Sequence, residues 1–165
     1  MLGKQAEEQP ALVRAIAAGG HQIGNHTFSH VLLNRMSQEA AAGEVRRCEL
    51  ALESLLGRGG YWIRPPYGAI DPEMVKALPV PVICWSVDPR DWECRDTDAI
   101  VDHIIKNAAD GDVILLHDSY PTSVEAALEV IDRLQARGVE FLTVEQLLTR
   151  KRVDILPGRL YRNAQ

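Results

Sequence analysis

The chain has 165 residues, 46% of them hydrophobic and 25% charged, with a formal net charge of -5. That length suits one domain with its own core, and the acidic balance argues against a nucleic-acid or anionic-membrane partner, since no basic face is available to neutralise phosphates. No apolar run approaches the roughly 20 residues of a membrane span, and Met1-Leu2-Gly3-Lys4 leads into a polar, helix-forming segment rather than a signal peptide.

In chain order, residues 6–18 read as a helix ending at Gly19-Gly20, and 22–25 as a short strand. Ser37 is placed to cap a long helix running to Leu56, with Val45, Cys48, Leu52 and Leu55 near helical spacing and Gly57 as the stop. Residues 61–63 read as a strand, and Pro72 suits the first turn of a short helix through Leu78. The nearly continuous apolar run 81–87 predicts a parallel strand covered on both faces. Asp96 or Thr97 opens a helix carrying Ile100, Ile104 and Ile105; residues 112–116 read as another buried strand, and 123–136 as a helix closed by Gly138. A last strand at 139–143, a short helix at 144–148 and a basic, irregular tail from Lys151 complete the reading. Five strands alternating with helices imply a parallel sheet with right-handed crossovers.

Chemistry-bearing residues cluster where strand-like runs end, the place where a barrel keeps its reacting groups. His26 and His30 in H-T-F-S-H offer two imidazole nitrogens to one divalent ion if the backbone turns there. Neither Asn25 nor Ser29 suits as a third ligand, and the alternative is a pair of ordinary loop histidines. Asp91 is placed to accept a hydrogen bond from His117 and so favour the imidazolium, a good general acid; capping carboxylates at a solvent-facing strand end, as Asp88 and Asp118 fit, are the other reading. Arg64, stiffened by Pro65 and Pro66, suits a bidentate carboxylate partner, and the Tyr67 N–H beside Gly68 suits a developing oxyanion; the alternative is a Pro-rich turn with a surface arginine. Trp92 and Leu115 are candidates for an apolar pocket or for plain core. His21 and His103 read as surface or structural, and Cys48, Cys84 and Cys94 as free thiols without metal-type spacing.

Taken together, H-T-F-S-H at 26–30, R-P-P-Y-G at 64–68, D-P-R-D-W at 88–92 and L-L-H-D at 115–118 resemble the ordered motifs of the polysaccharide deacetylases of the NodB-homology group, carbohydrate esterase family four. The resemblance runs from about residue 1 to 148. It implies an α/β fold, a distorted (β/α) barrel, with residues 1–150 forming a partial deacetylase domain and 151–165 a C-terminal tail. It implies removal of N-acetyl or O-acetyl groups from a polysaccharide such as peptidoglycan or chitin oligomers. It also implies one divalent metal, zinc foremost with cobalt, nickel or manganese as alternatives, and an extracellular or cell-wall location. By that likeness His26 and His30 are metal ligands and Asp91 tunes His117, the catalytic acid. Arg64 holds a catalytic aspartate, the Tyr67 amide binds the oxyanion, and Pro66, Trp92 and Leu115 contact substrate.

One departure stands out. The family's first motif, T-F-D-D-G-P, is absent, and no Asp-Asp pair occurs anywhere in the chain. The expectation is that about two N-terminal strands, the catalytic base and the third metal ligand lie outside this chain, and that a further segment or chain completes the barrel. A non-catalytic glycan-binding or inactive relative is the alternative.

Overall fold

Pro10 divides the first helical stretch, which the computed structural model, describing residues 1–164, resolves into α1 (Gly3–Glu8) and α2 (Pro10–Ala18). Gln9, between them, sits at φ -131 and ψ 58, because a residue before proline is pushed out of the helical region. The expected single helix over 6–18 is therefore two. The chain divides into two units, the first Met1–Cys84 with Asp154–Tyr161 and the second Trp85–Val153 with the residues from Arg162 onward.

In the first unit, α3 (Gln38–Leu56) forms as expected. The Ser37 side chain accepts the Ala40 N–H and Gly57 closes the helix at φ 69, where a residue without Cβ is strain-free. Its buried Cys48 and Leu52 meet Ala6, Val13, Ile23, Phe28 and Tyr61 in one core cluster. Gly3 permits that packing, because a Cβ there would lie 2.6 Å from the Phe28 ring and 2.9 Å from the Cys48 Cα. The extended segments add in parallel: Asn25 bridges Ile63, Ile63 bridges Val82, and β1 (Val82–Ile83) pairs with β2 (Leu160–Tyr161). Met1 flanks residues 24–26 on the far side, its ammonium donating to the Gly24 carbonyl and its own carbonyl accepting the His26 N–H. The helix α4 (Pro72–Ala77) matches expectation. The segment after residue 150, read as irregular, supplies β2 instead: Leu160 pairs with Val82 and Tyr161 with Ile83.

The expected strand 81–87 is regular only at β1. Val82, Ile83, Cys84 and Val87 are buried, but the exposed Ser86 turns aside to give its hydroxyl to Asp112.

In the second unit, Val87 bridges Ile114 in parallel and Asp112 bridges Asn163 antiparallel. The expected strand 112–116 is thus a pair of bridges rather than a ladder. α5 (Thr97–Asn107), capped by the Asp96 side chain, packs on α6 (Pro121–Gln135) through Ile100, Val101, Ile104, Ala126, Val130 and Leu134. The expected strand 139–143 does not form. Val139 and Phe141 are 44% and 40% exposed, no bridge to another strand forms at 140–142 among the described residues, and Thr143 is drawn into a capping box with Gln146 that starts α7 (Val144–Arg150). Among the described residues no helix is long and apolar enough to cross a membrane.

Candidate active site

In the first unit, the bridge at Asn25 sends the chain into a tight loop bearing both histidines. Thr27 and His30 lie in the left-handed region at φ 66 and 61, a conformation that costs a non-glycine residue on the order of 1–3 kcal/mol and gathers at functional sites. Fixed polar contacts hold it. The Thr27 N–H donates to Asn25 Oδ1 at 3.0 Å, and the His30 N–H to Thr27 Oγ1 at 3.1 Å. Both Asn25 and Thr27 are fully buried.

The two imidazoles meet edge to face, with centroids 5.0 Å apart. His26 Nδ1 donates to the Arg64 carbonyl at 2.5 Å, which fixes the tautomer and leaves Nε2 as the ring's basic nitrogen. Burial lowers the His26 pKa to about 4, outweighing the opposing effect of that hydrogen bond. The ring is therefore neutral at physiological pH, the form that ligates a metal. The chemistry of these donors fits two positions of a divalent ion. No described cluster of three histidine, cysteine or acidic side chains surrounds them, so further positions fall to groups outside the described set, to water or to substrate.

The segment 64–68 comes to the same loop. Tyr67, at φ 59 and 64% exposed, sets its ring edge-on to His30 with centroids 4.8 Å apart. Pro66 is buried. The Arg64 side chain is half-buried, and desolvation lowers its pKa. Among the described residues no carboxylate pairs with it.

In the second unit, the turn after Val87 places Asp91 under residue 117. Arg90 adopts φ 55, its N–H held by Asp88 Oδ1 at 2.8 Å. Asp91 is fully buried. Its Oδ1 accepts His117 Nδ1–H at 2.8 Å and its Oδ2 accepts the His117 backbone N–H at 2.7 Å. Burial pushes the Asp91 carboxyl upward, but the hydrogen bonds from the His117 ring and backbone outweigh it and hold the group below the usual carboxylate range. The carboxylate thus remains ionised, and the His117 ring, 38% exposed, keeps Nε2 for exchange with a bound molecule. Trp92 is 46% exposed, with the Arg90 guanidinium 5.4 Å over its ring, whereas Leu115 is buried. Asp88 behaves as a capping group, accepting also from Trp85 Nε1 at 3.2 Å.

The structure sets His26, His30 and Tyr67 together with the Arg64 carbonyl in the first unit, and Asp91 against His117 in the second. Sequence reading weighed Asn25 only as an unsuitable ligand and passed over Thr27. The signal available for both was their position flanking His26, but nothing in a β-branched threonine advertises a left-handed backbone.

The family model described as polysaccharide deacetylase matches residues 1–79. Over 147 residues the chain is 37% identical to the peptidoglycan-N-acetylmuramic acid deacetylase PdaC of Bacillus subtilis, covering 89% of this chain and 32% of that protein. The solved structure of PdaC superposes with a TM-score of 0.88 at 36% identity, over 92% of this chain and 75% of that one. A chitooligosaccharide deacetylase of Azorhizobium caulinodans is 36% identical, with 83% of this chain and 74% of that protein covered. A family 4 acetyl xylan esterase from Clostridium thermocellum, solved with a cobalt ion, gives a TM-score of 0.90 at 27% identity, over 98% of this chain and 82% of that one. The chain spans about a third of the length of the first curated relatives it matches. Its fold is the α/β, distorted-barrel class that these solved structures share.

Proposed function

The chain belongs to the polysaccharide deacetylase family, and from that premise we propose that it takes part in hydrolysing acetyl groups from an N-acetylated glycan of the cell wall. PdaC and the chitooligosaccharide enzyme act on such glycans by name, and an extracellular or wall-associated site of action follows from that substrate. The observation that carries the reading is the Asp91–His117 pair. A surface that only binds sugar has no need of a histidine held by two hydrogen bonds, one from its ring and one from its backbone, to a buried, ionised carboxylate.

In this reading His26 and His30 hold a divalent cation, for which the cobalt in the acetyl xylan esterase is a precedent; zinc, nickel and manganese suit the same donors. When bound, the ion polarises the acetyl carbonyl and lowers the pKa of a water. The chain's own groups do the rest. Asp91 fixes the His117 tautomer with Nδ1–H inward, so Nε2 is the atom that gives a proton to the departing amine. The Tyr67 amide faces the developing oxyanion, Trp92 and Leu115 take the acetyl methyl, Pro66 contacts substrate, and the Arg64 guanidinium receives a carboxylate. That carboxylate, the base that deprotonates water, belongs to an Asp-Asp segment that this sequence does not contain; we assign it to a segment or chain that adds to this one.

The test is reconstitution. The chain is mixed with a segment bearing an Asp-Asp pair, N-acetylglucosamine oligomers and zinc or cobalt. Acetate release that disappears in His117→Ala supports the proposal, and silence of the reconstituted wild type overturns it.

A further inference from the structure

Two contacts from one helix face reach the histidine loop, and they lie outside the ligand and acid roles assigned above. Asn25 Nδ2 donates to the Val45 carbonyl of α3 at 2.9 Å while its Oδ1 accepts the Thr27 N–H. From the preceding residue of α3, the Glu44 carboxylate accepts both the Ser29 N–H and the Ser29 hydroxyl at 2.9 Å. Between these, the Arg47 guanidinium lies 3.4 Å over the ring of buried Phe28. Each alternate residue of 25–29 is thus tied to α3, or to a residue that is, and His26 and His30 are carried by what the ties hold still.

A loop with two left-handed non-glycine residues relaxes unless its surroundings over-determine it. Backbone contacts hold its first part: Asn25 bridges Ile63, the His26 N–H donates to the Met1 carbonyl, and the Thr27 and Phe28 carbonyls accept from Gly3 and Lys4, whereas the Ser29 N–H is held by the Glu44 side chain. We propose that Asn25 and Glu44 are positioning residues: they clamp the 25–30 loop to α3 and so preset the mutual geometry of the two imidazoles. Glu44 holds the loop through its bonds to the Ser29 N–H and hydroxyl. The inference rests on reading the imidazoles as metal ligands. It concerns this chain's residues and extends to no other part of the family's machinery. Groups that orient ligands from behind change metal affinity by about 10- to 100-fold when removed.

The experiment is a Zn2+ titration of the isotopically labelled chain, followed by imidazole 15N shifts, with amide hydrogen exchange of Thr27 and His30 recorded before metal is added. Glu44→Ala is expected to weaken Zn2+ binding about tenfold or more and to speed exchange at Thr27 and His30, whose N–H groups donate to Asn25 and Thr27 rather than to Glu44, while the thermal midpoint falls little because the Glu44–Ser29 bonds lie at the surface. Glu44→Gln keeps an acceptor for Ser29 without the charge and is expected to restore both readouts to within about threefold of wild type. Asn25→Ala is expected to act in the same direction and further. If Glu44→Gln falls as far as Glu44→Ala, the carboxylate acts through its field and the clamp is wrong. If His26→Ala and His30→Ala abolish Zn2+ binding but the Glu44 variants match wild type in affinity and exchange, the clamp fails while the metal reading stands. If His26→Ala and His30→Ala bind as wild type does, the metal reading fails, and the metal-free exchange data judge the clamp alone.

Discussion

Asp91→Asn is the sharpest single test of the second unit's chemistry. The carboxylate accepts two hydrogen bonds from residue 117, one from the backbone N–H and one from Nδ1–H. An amide has one oxygen, so its NH2 must face one of those donors unless the imidazole changes tautomer. The least costly arrangement makes Nδ1 an acceptor and moves the ring proton to Nε2. A hydrogen bond to a charged group contributes about 1.5–3 kcal/mol. At about 1.4 kcal/mol per decade, its loss in the proton-transfer step is worth roughly 10- to 150-fold in rate. Acetate release by the reconstituted enzyme measures that factor, and long-range 1H–15N correlation of the ring measures the tautomer without any activity. Stability carries an independent signature. Because the folded-state pKa of Asp91 is depressed, its contribution is fully present above the ordinary carboxylate pKa of about 3.9 and drains away as pH falls through the lower folded value. The asparagine variant lacks that acid-side decline. A variant with wild-type rate and an unchanged Nδ1–H tautomer would refute the proton-donor assignment.

Gly3→Ala places a methyl group 2.6 Å from the Phe28 ring and 2.9 Å from the backbone of Cys48, so denaturant unfolding is expected to show a loss of about 1–3 kcal/mol, and an unchanged midpoint would contradict the packing described. Leu52→Ala empties a fully buried position on α3 among Val13, Ile23 and Tyr61, with an expected loss of about 2–5 kcal/mol in the same assay. Thr143→Ala removes one arm of the α7 capping box; a decrease of about 1 kcal/mol, with faster exchange confined to the first turn of that helix, is the expected result.

The helices were legible because their signals are local. Ser37 and Gly57 bound α3, and Asp96 caps α5, through contacts spanning four residues or fewer. Pro10 was equally local and was passed over, although its effect on Gln9 follows from one ring and one steric clash. The strands were harder. The run 81–87 is apolar enough for a covered strand, yet its ladder depends on partners from distant sequence: β1 is completed by Leu160 and Tyr161, in a stretch whose composition reads as a tail. Residues 139–143 show the converse, with a good strand pattern, no bridge to another strand among the described residues and a threonine more useful as a cap.

The same division runs through the candidate site. The imidazoles, the guanidinium and the carboxylate could be picked out because few residue types perform their chemistry, so identity and spacing carry the information. What holds them was invisible, because it is written in backbone torsion and in contacts from 15 or 20 residues away. Thr27 at φ 66 is the clearest case. Local propensity disfavours a β-branched residue there, and glycine would adopt the turn at no steric cost. Glycine, however, has no hydroxyl to accept the His30 N–H. The strained threonine is thus explained by the bond it makes, and that bond serves the second imidazole. Local rules fail at the residue whose job is to orient a neighbour, and the failure marks the loop as a site where geometry outweighs stability.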